Sequence, residues 1–217
     1  MAGVKIAAAA NGGSAEIAGP PSSSANTVLK LPADTGSAGQ VLRVKSANHS
    51  ATNAELEWAA DADSVGLADA DQWRVTSNFS SADTIITSNW ERVDARGSAG
   101  PVGTGFSPPS SGVFTFPSTG YWLVTFNTWC AGTSADWVEM SIHACLDGSS
   151  YNTVSTTRDS CEDGDSHTSM STEALIDVTS TSDVKVKFDV KAAASIEWYG
   201  DTQMSETNVV FLKLGAT

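Results

Sequence analysis

Two stretches hold side chains whose types and spacing could do chemistry. His143 and Cys145 stand two residues apart, with Glu139 four residues before His143. In an extended chain that spacing puts all three on one strand face, where a thiol–imidazole pair is a nucleophile or half a metal site. Cys161 and His167 are the residues that could complete a zinc site with them. The competing reading is a set of polar side chains on an outward or subunit-facing strand. The sequence shows no orienting third group and no further ligands at a recognisable spacing.

The second stretch is Asp159-Ser160-Cys161-Glu162-Asp163-Gly164-Asp165. Carboxylate clusters of this kind bind Ca²⁺, with Asp159, Glu162, Asp163 and Asp165 as the candidate ligands. A solvated acidic loop accounts for the same composition, so no cofactor is expected and Ca²⁺ is the alternative left open. Asp61, Asp63, Asp69 and Asp71 raise the same question, but their spacing matches no EF-hand loop and reads as a solvated linker. Nothing sets two carboxylates across a cleft as a glycosidase requires. Gly-x-Ser-x-Gly, Walker, His-Glu-x-x-His and Cys-x-x-Cys patterns are absent. The sequence therefore predicts no enzyme.

Aromatic residues offer a third kind of chemistry. Trp73, Trp90, Trp122, Trp129, Trp137 and Trp198 fall within one region. Each could be core, but exposed Trp near loops stacks on sugar rings. Trp137 lies on the polar side of an alternating segment, and Trp129 precedes Ala131-Gly132-Thr133-Ser134. These two are the candidates for a receptor surface.

Composition sets the frame for these residues. The chain has 217 residues, a formal net charge of −13 and 17% charged residues, against about 25% on average. Such acidity repels phosphate backbones and anionic membranes and argues against nucleic-acid binding. No apolar run approaches the ~18 residues that a membrane span needs. Cys130, Cys145 and Cys161 are odd in number and fit no disulfide framework, and no signal peptide is visible. Synthesis and folding in a cytosol are expected.

The elements that must position these residues read as strands throughout. In residues 1–60, apolar runs of about four residues alternate with turn formers, so each strand exposes its edges and buries no core alone. Three chains wound together could pair those edges and bury Leu29, Leu31, Val41 and Leu42. Residues 61–71 read as an acidic linker and 72–217 as one β domain. Within it, 72–79 and 84–90 read as strands, 97–105 as a loop, and Gly112–Asn127 as a strand, a Pro117-Ser118-Thr119-Gly120 turn and a second strand. Val138, Met140, Ile142, Ala144 and Leu146 alternate with Trp137, Glu139, Ser141, His143 and Cys145. Asp147-Gly148 then turns the chain into 151–157, 158–166 reads as a loop, and 195–199 as a separate short strand. The last strand, 208–214, is apolar on both faces, which points to a partner subunit on one of them. About eight strands without a helical period make an all-β sandwich or jelly roll.

Two resemblances sharpen this. Phe114, five residues, Gly120 and then an aromatic resemble the signature of the trimeric jelly roll of complement globular heads and tumour necrosis factor. Trp122 and Val124 stand where that family has Tyr and Phe, Asp147-Gly148 matches its habitual turn, and Thr207–Leu214 its last strand. The resemblance implies three jelly rolls about a threefold axis, with Trp122, Phe126, Tyr199 and Phe211 at the axis or in the core beneath it. Gly19-Pro20, Thr27–Pro32, Asp34–Leu42 and Glu55–Trp58 follow the order of a module found in fibre proteins of tailed bacteriophages. It implies a homotrimeric fibre in the virion, docked on tail or capsid proteins through residues 1–60. Its head would adhere to a host surface glycan or outer-membrane component. A capsid-decorating fibre or cement protein, a polysaccharide-degrading enzyme using Glu162 and Asp163, and a cellular complement-like binding module remain as alternatives.

Overall fold

The structure is a computed structural model that describes residues 28–34, 36–45, 53–60, 67–95, 100–132, 135–161 and 166–217. It divides into two compact units, Met1–Val65 and Gly66–Thr217.

The first unit holds a three-stranded sheet: β1 (Val28–Lys30), β2 (Gln40–Val44) and β3 (Asn53–Ala60), in the order β1-β3-β2. β1 runs parallel to β3 and β2 antiparallel to it. The short strands follow the expected apolar runs, and their surface is uncovered: every residue of β2 is exposed, as is Leu31. One fixed point is the Trp58 indole, whose Nε1 donates to the Asp34 carbonyl at 3.0 Å. Gly36 lies against that ring at φ +69°, where a Cβ would approach it to 2.6 Å. Only glycine fits so close a turn.

The second unit is the head. Its strands are β4 (Ala70–Val75), β5 (Phe79–Ile85), β6 (Trp90–Arg92), β7 (Phe114–Thr115), β8 (Gly120–Gly132), β9 (Ala135–Cys145), β10 (Tyr151–Cys161), β11 (Ser166–Val178), β12 (Lys185–Trp198) and β13 (Asn208–Gly215). β6, β4, β13, β8 and β11 lie side by side on one face of the sandwich. β10, β9 and β12 form the other, with β5 and β7 on the far edge of β12. The end of β12 returns to pair Trp198 with Cys130 of β8, which joins the two faces.

Alternation along these strands fills the space between the faces with aromatic rings. Phe114, Phe116, Trp122, Phe126, Phe188 and Phe211 are all fully buried. Phe106 stacks on Phe211 at 4.0 Å and meets Trp122 edge-on at 5.5 Å. Phe126 and Phe188 join across the sandwich at 4.9 Å. Each such ring buries enough apolar surface to contribute about 2 kcal/mol or more.

The structure corrects several sequence expectations. Residues 72–79 are not one strand: β4 ends at Val75, and Phe79 opens β5, which pairs with β12. Residues 158–161 belong to β10 and not to a loop. The 195–199 segment is the continuation of β12 beyond an irregularity between Lys191 and Ile196. Glu139, Ser141 and Cys145 are buried although they share the polar side of β9, and Leu146 is exposed. Arg158 lies on Glu139, Thr156 bonds Ser141 and Asp147 bonds Cys145, partners that a period-two pattern does not reveal.

The largest correction concerns Asp69 and Asp71. Both are buried, and neither is part of a solvated linker. The Asp71 carboxylate accepts from Gln72 N–H (2.9 Å), Phe106 N–H (2.7 Å), Trp73 Nε1 (3.0 Å) and Arg92 Nε and Nη2 (3.0 Å each). Asp69 accepts from Thr104 N–H at 2.9 Å and Ser118 Oγ at 3.3 Å, and pairs with Lys213 at 3.7 Å. Gly103 passes so close that a Cβ there would sit 2.3 Å from Asp69 Oδ1. The two carboxylates pin the 100–106 segment to β4 and thereby seat Phe106 in the core.

Removing one partner of a buried pair strands the other, so Asp71→Ala should cost about 3 kcal/mol of head stability. The shift of the denaturant midpoint measures it, and a cost below about 1 kcal/mol, the value of an exposed pair, would contradict the clamp. The hairpin turn makes a pH prediction. Backbone N–H groups of Ser150 and Ser149 bond Asp147 Oδ1 and lower its pKa from 3.8 to about 2. A depressed carboxyl stabilises the fold above its unfolded pKa and loses that contribution as pH falls through the folded one. Chemical-shift titration of Asp147 should place its midpoint near 2; a midpoint near 3.8 would remove the turn's bonds from solution.

Candidate functional site

The chemistry foreseen around His143 and Cys145 is not assembled. Cys145 Sγ turns away from the imidazole, to Asp147 Oδ1 at 3.6 Å. Cys161 lies at the opposite end of the β9–β10 hairpin, paired with Ala135 where Cys145 pairs with Tyr151. Its Sγ donates to the Ser166 carbonyl at 3.1 Å. His167 is on the other face of the sandwich, beside Trp129. Among the described residues no three His, Cys, Asp or Glu side chains could share a metal. Of the Ca²⁺ candidates, Asp159 is exposed on β10, while Glu162, Asp163 and Asp165 lie outside the described residues, as do Asp61 and Asp63. The thiols are all buried, and burial together with the neighbouring Cys161 and Asp159 pushes Cys130 up to about 12. A thiol so far from ionisation is a packing group.

His143 does have an orienting carboxylate, which sequence reasoning missed. Asp189 Oδ2 lies 3.3 Å from Nε2, and Thr153 Oγ1 lies 3.3 Å from Nδ1. Asp189 comes from β12, and only the β9–β12 register puts Lys187 opposite His143 and Asp189 two pairs further on, on the same face. The same carboxylate holds Lys191 at 3.3 Å and raises its pKa. The chain Thr153–His143–Asp189–Lys191 therefore neutralises a buried acid on a sheet face. It brings no thiol to the imidazole.

Two surfaces remain as candidates for binding. The first is the outward side of β11, β8, β13 and β4. Register aligns Leu175, Leu123, Leu212 and Ala70 in one row across the four strands. Leu175 is 61% exposed, and Tyr121 and Leu214 beside this row are exposed too. Trp122, Phe126 and Phe211, the candidates for an axis or the core, point the other way into the interior of the single chain. Tyr199 differs: it stacks on Trp129 at 4.5 Å, with His167 at 5.3 Å from the same indole. Next to that group, Asn127, Ser169, Ser171 and Glu206 line a shallow depression of about 520 Å³. Burial and then Asp201 raise the pKa of Glu206.

The second surface is the outward side of β12, β9 and β10. Trp137 is here, 38% exposed, with the Arg158 guanidinium 5.5 Å from its ring and Arg158 in turn bound to Glu139. Trp129 and Trp137 thus stand on different faces of the sandwich within one chain.

No family model matches the chain, and no curated protein matches it. Among solved structures the chain is similar to Eiger TNF from S. frugiperda, with 16% identity, a TM-score of 0.52, and coverage of 68% of this chain and 93% of that one. It is also similar to murine APRIL, with 13% identity and a TM-score of 0.47 over 67% of this chain and 98% of that one. The likeness to Eiger TNF shows the fold: the chain carries an all-β, TNF-like jelly roll, as the sequence led us to expect.

Proposed function

We propose that the protein is a homotrimeric structural fibre of a tailed-phage virion, with the N-terminal module as its attachment and the jelly roll as its adhesive head. The observation that carries this reading is the apolar row Leu175–Leu123–Leu212, in which Leu175 is exposed and Leu123 and Leu212 are only half-buried in a single chain, although the sandwich beneath it is already filled. Fully covering one leucine contributes about 2 kcal/mol, and threefold closure repeats the contact around the axis without leaving an open end. The N-terminal unit supports the same conclusion, since Leu31, Val41, Leu42 and Val44 are exposed. The virion assignment rests on the ordered elements of residues 1–60 and their resemblance to phage fibre modules.

This reading assigns the face that carries Trp129 and Tyr199 to packing between copies. Adhesion then falls to the opposite sheet, where Trp137 is exposed beside Arg158, and three heads on one stalk add avidity to individually modest contacts. No catalytic step is needed for such a role.

The expected sedimentation mass is three times the 22.5 kDa of one chain; the mass of a single chain would overturn the reading. Leu123→Glu and Leu175→Glu place a charge in the closed interface and should release folded monomers, whereas a trimer indifferent to both would put the contact elsewhere. Tailed particles banded on a density gradient from the producing culture should contain the chain. Its recovery only from the soluble lysate would remove the virion role.

A further inference from the structure

The proposed head is acidic overall, yet among its described residues four solvent-reaching cations, Arg158 exposed and the rest half-buried, share one sheet. Arg158, Lys185, Lys187 and Lys191 all belong to β10 and β12. The acids borne by the strands of this sheet gather at one end of it; at the other, Asp147 in the β9–β10 turn is taken up by the Ser149 and Ser150 N–H groups. Lys191 stands opposite Glu139 in β9 and Asp83 in β5, Glu139 stands opposite Arg158, and Asp189 is held by His143 and Lys191. At the other end Lys185 and Lys187 have no carboxylate within ion-pair distance among the described residues. Lys187 instead covers the Tyr151 ring at 4.3 Å.

That end opens into a groove of about 390 Å³ between the 107–115 segment and the sheet. Lys185 and Tyr151 form one side of it, with hydroxyls from Ser107, Ser110 and Thr115 along the other. Register explains the juxtaposition, because Lys185 pairs with Thr115 on one side and with Cys145, itself opposite Tyr151, on the other. Hydroxyls pair with hydroxyls, an aromatic ring packs against sugar C–H faces, and an ammonium without a partner takes a carboxylate. A neutral sugar would leave the cations without a counter-charge, and a bare polyanion would leave the three hydroxyls and the ring unused.

We infer that this groove binds a uronic-acid-bearing oligosaccharide, with Lys185 on the carboxylate and Lys187 on the next acidic unit. The inference deepens the adhesive reading above and rests on it for its biological meaning. It also assigns the adhesive surface a ligand class: an acidic polysaccharide of the kind that coats cells.

Titration calorimetry on the full chain tests it with tetragalacturonate as probe, maltotetraose as the neutral sugar and polyglutamate as the anion that is not a sugar. Tetragalacturonate should bind saturably, one per chain, and weaken as salt rises from about 20 to 200 mM because exposed charges are screened. Maltotetraose and polyglutamate should bind at least several-fold more weakly. Lys185→Gln should lower affinity about fivefold, the worth of one exposed ion pair, with an unchanged thermal midpoint. Lys45→Gln, which removes an equal charge from the N-terminal unit, should leave affinity as it is. Absence of saturable binding, equal binding of polyglutamate, or an unaltered Lys185→Gln variant overturns the inference. Sedimentation of the same samples separates the two readings: a trimer without affinity for tetragalacturonate sinks the inference alone, while a monomer that binds through Lys185 sinks the trimeric head alone.

Discussion

The head depends on one buried carboxylate. Asp71 sits at the start of β4 with its side chain 1% exposed, a position where an unpartnered negative charge would cost several kcal/mol. Five donors from four residues converge on it, and they come from β4, β6 and the 106 position. The acid therefore works as a template: the segment 100–106 can lie only where its N–H groups reach Asp71 and Asp69. Phe106 follows, stacked on Phe211 and edge-on to Phe114, Phe116 and Trp122. Arg92 closes the arrangement by donating also to the Phe106 carbonyl. A polar contact at the rim thus sets the packing of the aromatic centre.

A centre packed in this way has consequences outside. The inward positions of β8 and β13 are taken by Trp122, Val124, Phe126, Val209 and Phe211, all of which are fully buried. The leucines and valines on the reverse of the same strands have no interior left to enter. Strands that are apolar on both sides occur where both sides are covered, and here one chain covers only one. The opposite sheet solves its outward side differently, with ion pairs and hydroxyls lying flat on Glu139, Ser141 and Asp189.

How much of this could be read from the sequence follows from the range of each interaction. Local signals sufficed for the Asp147-Gly148 hairpin, the alternation in β9, and the doubly apolar β13. The jelly roll was legible because these signals repeat at sandwich spacing. Asp69 and Asp71 were misread because their partners Thr104, Phe106 and Ser118 lie 35 to 49 residues away, and a run of Asp, Ala and Gly looks solvated until they are supplied. Asp189 escaped notice as the partner of His143 for the same reason, at a separation of 46 residues. Trp122, Phe126 and Phe211 could not be split between core and axis, since parity along a strand tells two faces apart without saying which one is inside.

The two sheets then divide the surface by chemistry. An apolar row suits an identical copy, because like meets like across a closed symmetric contact and no charge need be matched. A cationic edge suits a different kind of molecule: two copies of the same lysine pair would repel each other, so in the proposed trimer that edge faces away from the other chains. Lys185 and Lys187 are on the sheet opposite Leu123 and Leu175, as this logic requires. In a chain with net charge −13, unpaired lysines also tune selectivity: the surrounding acidity discourages anions in general, and only a ligand that gains from the hydroxyls and the ring of the groove recovers that cost. The field of the whole protein and the chemistry of one edge therefore act in opposite directions, and their difference sets which acidic polymers can stay bound.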